Sequence, residues 1–116
     1  METSSCVFCR IVAGQEPAEV LYATETVMAF RDIAPQAPVH VQIVPKEHLS
    51  SVADIEERHG ALLADLLQAA KQVARAEGVD DRGWRLVTNV GREGGQHVYH
   101  LHLHFLGGRP MSWPPG

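Results

Sequence analysis

The chain has 116 residues, enough for one packed core and too few for two. A hydrophobic content of 45% with 21% charged residues is ordinary for a globular domain, and a net charge of −4 with scattered Lys and Arg speaks against non-specific binding to nucleic acid or an anionic membrane. No basic-then-apolar leader opens the sequence and no apolar run reaches membrane-spanning length, so a cytoplasmic location is expected.

In chain order, Cys6-Val-Phe-Cys9 comes first. In a reducing compartment this pair is half of a metal site, a redox pair or two small buried residues, and its place at the chain start speaks against a thioredoxin-like role. Phe8 to Ala13, stopped by Gly14 and Pro17, predicts a short helix. Val20 to Ala23 and Val27 to Phe30 read as strands joined by the polar turn Thr24-Glu25-Thr26. The Pro35 to Pro38 segment forbids regular structure, and Val39 to Val44 forms a third strand ended by Pro45. A long helix begins near Asp54, with Glu57 three positions on as a capping partner. Leu62, Leu63, Leu66, Leu67, Ala70, Val73 and Ala74 give it one apolar face, and Gly78 ends it. Trp84 to Asn89 is a fourth strand, Gly91 to Gln96 a glycine-rich loop, Tyr99 to Leu106 a fifth strand, and a proline-rich tail follows from about residue 109. Strands mostly joined without helices predict an antiparallel sheet in an α+β domain spanning residues 1–116.

The fifth strand carries the chemistry. His100, His102 and His104 alternate with Leu101, Leu103 and Phe105, so a period of two places three imidazoles on one face, roughly 6.6 Å apart by strand rise. Imidazole changes charge near neutral pH, which makes three in register a poor structural choice and a good catalytic or metal-binding one. His40 alternates with Val39 and Val41 and is either a partly buried histidine or a neighbour of the triplet. His48, after Pro45-Lys-Glu, is an exposed loop residue or a metal ligand. His97 stands at the edge of the glycine loop, and His59, among charges, reads as solvated surface. Gly94 and Gly95 let the backbone approach an anion or simply make a turn, and Asp32 can take ribose hydroxyls or cap a turn.

These motifs together resemble the histidine triad (HIT) family. His100-Leu-His102-Leu-His104-Phe-Leu matches its His-φ-His-φ-His-φ-φ signature (φ apolar). Asp32-Ile-Ala-Pro-Gln-Ala-Pro-Val-His40, Val44-Pro-Lys-Glu-His48, Gly94-Gly-Gln-His-Val-Tyr-His100 and the tail from Leu106 to Gly116 resemble its Hint branch. The resemblance implies a homodimer whose two five-stranded antiparallel sheets join, each subunit having one long and one short helix. It implies hydrolysis of the P–N bond of purine nucleoside 5′-phosphoramidates, such as adenosine 5′-phosphoramidate, through a nucleotidyl-histidine. Acyl-nucleotide phosphates are plausible further substrates.

By the same resemblance His102 is the nucleophile, His104 contacts a phosphate oxygen, and His100 completes the triad with His40 in support. Asn89, Gly95 and Gln96 hold phosphate and ribose, Asp32 takes the ribose hydroxyls, and Phe8, Ile11 and Phe30 line the base pocket. His97 replaces a small hydroxyl residue that faces the leaving nitrogen in many Hint-like proteins, and Glu16 replaces an aliphatic residue beside the base. In some members a Cys-x-x-Cys pairs with two histidines, here Cys6, Cys9, His48 and His100, to hold a structural zinc, while no catalytic metal is required. Two rivals remain at this stage. One is a metal-dependent hydrolase with His40, His100, His102 and His104 as ligands, and the other is a non-catalytic nucleotide-binding or scaffold protein.

Overall fold

Alternation along the strands sorts the side chains of one sheet onto two faces, and each face meets a different helix. The computed structural model describes residues 5–116. Its elements are α1 (Val7–Val12), β1 (Val20–Ala23), β2 (Val27–Arg31), β3 (Val39–Pro45), α2 (Gly60–Ala76), β4 (Trp84–Val87) and β5 (Leu103–Gly107), with two 3₁₀ turns before α2. The five strands form one sheet in the order β1-β2-β3-β5-β4, antiparallel throughout. No helix among the described residues is long and apolar enough to cross a membrane.

One face carries Val27, Ala29, Val39, Val41, Ile43 and Phe105, which pack on Leu66, Ala69, Ala70, Val73 and Ala74 of α2. Phe105 is fully buried and stacks on Trp84 with ring centroids 5.0 Å apart. The opposite face carries Met28, Phe30 and Val44, covered by Phe8 of α1. The same face of β3 and β5 holds His40, Gln42 and His104, in register with Leu106, His104 and Gln42 respectively.

The long helix starts later than its sequence suggests. Asp54 lies in the first 3₁₀ turn, where its carboxylate accepts the Ser50 N–H, and α2 begins only at Gly60. His59 explains the delay. Its Nδ1 accepts the Glu56 N–H at 2.9 Å, and this reach back to the chain buries the ring to 3% exposure, so it is not the solvated surface residue expected. The helix end falls where expected: Gly78 takes φ +71°, and the Val79 N–H then closes on the Ala74 carbonyl. Leu63 and Leu67, assigned to the buried face, are 37% and 51% exposed because that face is centred on Leu66, Ala70 and Val73.

The histidine run is also only half strand. β5 begins at Leu103, and the preceding residues leave the ladder to serve other partners. Leu101 N–H goes to the Leu49 carbonyl, and the Thr88 hydroxyl donates to the carbonyl of His102. Phe105→Ala, which empties the centre of the helix-packed face, should cost about 3–5 kcal/mol in urea unfolding, against about 5–15 kcal/mol for a whole domain. A loss below 1 kcal/mol would place the core elsewhere.

Candidate active site

Leaving the ladder early lets successive histidines face different neighbours. The His100 ring turns to the metal-ligand side, where Nε2 donates to the Pro45 carbonyl at 2.9 Å. Its Nδ1 lone pair then faces Cys6 Sγ at 3.3 Å, Cys9 Sγ at 3.5 Å and His48 Nδ1 at 3.2 Å. Cys9 Sγ is 3.2 Å from His48 Nδ1, and all four donor atoms lie within 4.8 Å of one another. Ligands around a tetrahedral zinc, with arms of 2.0–2.3 Å, stand about 3.3–3.8 Å apart. The donor set therefore fits a closed tetrahedral centre, with the His100 tautomer already set for ligation by Pro45.

His102 turns the other way. Its Nδ1 donates to the His100 carbonyl at 2.7 Å, so in the neutral ring Nε2 keeps its lone pair. His102 and His104 have ring centroids 4.9 Å apart, closer than the roughly 6.6 Å of an extended strand. His40 completes the group from β3. Its Nδ1 accepts the Gln36 N–H at 2.9 Å, which leaves the proton on Nε2, 3.0 Å from His104 Nδ1 and 3.3 Å from Asp32 Oδ2. His104 thus accepts on Nδ1 and carries its own proton on Nε2. Asp32 is braced as well, accepting from Ala34 N–H on Oδ1 and from Gln42 Nε2 at 2.7 Å on Oδ2. Asp32, His40 and His104 form a second close donor set, but these hydrogen bonds order them as a relay of donors and acceptors.

Beside the relay opens an apolar cavity of about 250 Å³. Phe8, Ile11 and Phe30 line it, with Asp32 and Gln42 among its polar residues. Phe8 meets Phe30 edge-on at 5.4 Å and His102 at 5.2 Å, so this cavity and the His102 imidazole share a wall. Glu16, next to the lining residue Pro17, pairs with Arg10 at 3.1 Å.

Asn89 Nδ2 donates to the Gly94 carbonyl at 2.7 Å, and a Cβ at Gly94 would run into the Val90 carbonyl oxygen, so glycine is required there for close packing of the loop on itself. Gly95, with φ +78°, remains exposed. Gln96 is buried with its amide committed to Gly91, Ser50 and Val98, which makes it a brace of the loop. His97 is exposed and lies apart from the relay, lining a wider cavity with Cys6, His48, Ser50 and Tyr99. Sequence reasoning passed over Gln42, although it follows His40 by two residues on one strand and the period of two puts it on the histidine face.

Burial and the neighbouring imidazoles hold His104 well below the ordinary histidine range, at about 4, with Asp32 pulling weakly the other way. Burial, opposed by their hydrogen bonds or by Asp32, also lowers His40 and His102. A folded-state value below that of the unfolded chain means the unfolded chain binds more protons between about 4 and 6.5. Stability from this group is therefore fully present above 6.5 and lost as pH falls towards 4. An NMR titration of the His104 ring should show a midpoint near 4. A midpoint at 6.5 or above would contradict the buried, neutral relay.

Comparison with known proteins agrees with this geometry. A family model described as "Scavenger mRNA decapping enzyme C-term binding" matches residues 5–113. A HIT family hydrolase from Legionella pneumophila has a solved structure with TM-score 0.94 and 51% identity, covering 97% of this chain and 100% of that one. A "14 kDa zinc-binding protein" from Zea mays is 49% identical over 100% of this chain and 91% of its own length. "Adenylylsulfatase HINT1" from Arabidopsis thaliana is 45% identical over 97% of this chain and 78% of its own. With its sheet order, its histidine run and these relatives in agreement, the chain belongs to the histidine triad family.

Proposed function

We propose that this protein hydrolyses purine nucleoside 5′-phosphoramidates, cleaving the P–N bond at the α-phosphorus through a covalent intermediate on His102. The observation that carries the reading is the 2.7 Å bond from His102 Nδ1 to the His100 carbonyl. It leaves the Nε2 lone pair available on a ring that burial keeps neutral, beside an apolar cavity of base-accommodating character.

The residues divide the work. The base enters among Phe8, Ile11 and Phe30, with Asp32 taking the ribose hydroxyls. Nε2 of His102 attacks phosphorus, a P–N bond to the imidazole forms, and the P–N bond to the amine breaks. The departing nitrogen takes a proton from solvent. Water then attacks the nucleotidyl-histidine, the imidazole leaves with its original lone pair, and nucleoside monophosphate is released. His104 donates its Nε2–H to a phosphate oxygen as negative charge builds, and His40 fixes that polarity from behind. Asn89 and Gly95 shape the phosphate side of the pocket. The Arabidopsis relative, named an adenylylsulfatase, is compatible with the same attack at an adenylyl phosphorus and a different leaving group.

The chain also holds a structural zinc in this reading, through Cys6, Cys9, His48 and His100, as the maize relative's name suggests for that protein. Such a metal supplies a cross-link between the start of α1 and the segment carrying His102. Residues 1–116 act as one domain, and two copies join as a homodimer across β4, which has a strand partner on one side only. Leu63 and Leu67, both exposed on α2, offer apolar surface for that contact. The tail, tied by Arg85 to the Ser112 carbonyl, presents Trp113 at 81% exposure for the partner subunit to cover.

His102→Ala should abolish turnover of adenosine 5′-phosphoramidate while AMP binding survives. His40→Ala should cost less, within the roughly 10²–10⁴-fold span of acid–base assistance. Mass spectrometry of wild-type enzyme quenched during turnover should find a nucleotidyl adduct on the peptide containing His102. Substantial activity in His102→Ala would sink the covalent route. Elemental analysis of protein purified without chelator should give about one zinc per chain, and removing the metal should lower the melting temperature. Unchanged melting after complete metal removal would rule out a structural ion.

A further inference from the structure

Two buried side-chain atoms lack a hydrogen-bond partner among the described residues: Nε2 of His59 and Oε1 of Gln42. The first has a charged neighbour just beyond hydrogen-bond distance, Glu47 Oε2 at 3.9 Å. The second has no such explanation. Gln42 is 8% exposed, and an amide oxygen buried without a donor costs about 1–3 kcal/mol. Its orientation is fixed by chemistry. Nε2 donates to Asp32 Oδ2 at 2.7 Å, and the flipped amide would set oxygen against carboxylate oxygen. Oε1 must therefore occupy the other position.

Gln42 itself lies at a junction. Gln42 is directly opposite Phe30 on β2 and directly opposite His104 on β5. Phe30 belongs to the wall of the apolar cavity and His104 to the relay, and Gln42 lines the same cavity between them. If the base lies on Phe30 and phosphorus lies at His102 and His104, the sugar spans the Gln42 side chain. This step rests on the nucleotide reading of the site. The sugar brings hydroxyl donors, which is what an unpaired amide oxygen requires.

We infer that Gln42 is a specificity-determining residue whose Oε1 accepts a hydrogen bond from a ribose hydroxyl, so that the site selects ribonucleotides over a deoxy analogue. Asp32 and Gln42 then act as one acceptor pair, cross-linked by their own hydrogen bond and presented together to the sugar. The isolated protein carries an unpaired acceptor that ribonucleotide satisfies and a sugar lacking the donor does not. Sites built to pair with a hydroxyl reject analogues without it far more strongly than apolar pockets reject a missing methylene.

Calorimetric titration of wild type, Gln42→Leu and Gln42→Met with AMP, 2′-deoxy-AMP and 3′-deoxy-AMP tests this. Wild type should bind AMP at least about tenfold more tightly than one of the two deoxy analogues. Gln42→Leu should weaken AMP by about tenfold and that analogue by less than about threefold. Because Gln42 also braces Asp32, this loss of discrimination should persist on an Asp32→Ala background, where an effect routed through Asp32 would vanish. Thermal melting supplies a second readout. Without nucleotide, Gln42→Leu should melt close to wild type, since loss of the unpaired acceptor offsets loss of the bond to Asp32 Oδ2, while the rise produced by AMP should shrink. Gln42→Met, closer in length, serves if the leucine variant does not fold. Equal weakening for AMP and both deoxy analogues would overturn the assignment and leave the nucleotide reading intact. So would a nucleotide-bound crystal structure in which a water occupies Oε1. Absence of binding by any of the three nucleotides would overturn both. Discrimination that depends on Gln42, in a protein without phosphoramidase turnover, would support this inference and refute the catalytic reading alone.

Discussion

The site depends on one backbone hydrogen bond, from His102 Nδ1 to the carbonyl of His100. An isolated neutral imidazole divides between two tautomers. Leaving a buried donor unmade costs about 1–3 kcal/mol, so this bond biases the ring by roughly 5- to 150-fold towards the form with a lone pair on Nε2. The bond exists because residues 98–102 leave the ladder before β5 begins at Leu103, which turns the His100 carbonyl away from strand pairing. Held by Pro45, the His100 ring faces the two cysteines while its carbonyl faces the next histidine. One residue thus orients two separate chemistries, and a disturbance of its ring reaches the His102 tautomer through a single peptide unit.

The two-faced sheet makes this arrangement affordable in stability terms. Polar groups that are costly to bury alone are buried here in pairs: His40 with Gln36 and His104, Asp32 with Ala34 and Gln42, Gln96 with three backbone partners. The apolar face packed on α2 contributes the burial that offsets their desolvation, with Val27, Val41, Ile43 and Phe105 fully enclosed. Helix α1 closes the histidine face with few residues, and Phe8 alone touches Phe30, His100 and His102. Its hold on the sheet is slight for a six-residue helix, which is why a metal cross-link through Cys6 and Cys9 fits its position.

How much of this was legible in the sequence varied with the range of the forces involved. Strand β1 falls where alternation and the flanking turn place it, because both signals are local. The start of α2 was misplaced since His59, rather than Asp54, makes the local bond that organises the turn before the helix, and a histidine in that role looks like a surface residue. The histidine run reads as continuous strand by period, yet the pull of Pro45 on His100 and of Leu49 on the Leu101 N–H is tertiary and leaves no periodic trace. His40, ambiguous alone, proved to face His104 because β3 and β5 pair in a register that no local pattern dictates. The loop turns the Gln96 side chain inwards onto Ser50 and Val98 and leaves His97 exposed, an arrangement that the neighbouring residues in sequence do not reveal.

A metal at the second donor set, which shares His40 and His104 with the metal-dependent rival, can be weighed on the same hydrogen bonds. A metal at Asp32, His40 and His104 would need lone pairs on His40 Nε2 and His104 Nδ1 together. His40 cannot offer one while Nδ1 accepts the Gln36 N–H, since the ring proton must then sit on Nε2. Ligation there would require breaking that bond and unpairing a backbone amide beside Pro35. At the other cluster the logic inverts: Pro45 takes the proton of His100 Nε2, and Nδ1 is left open towards the cysteines. Histidines only two residues apart in the run are thus sorted by the backbone partners of their own and neighbouring rings, one towards a metal and the others towards proton relay. The distinction lies in which backbone group each ring meets, and the histidine spacing alone does not contain it.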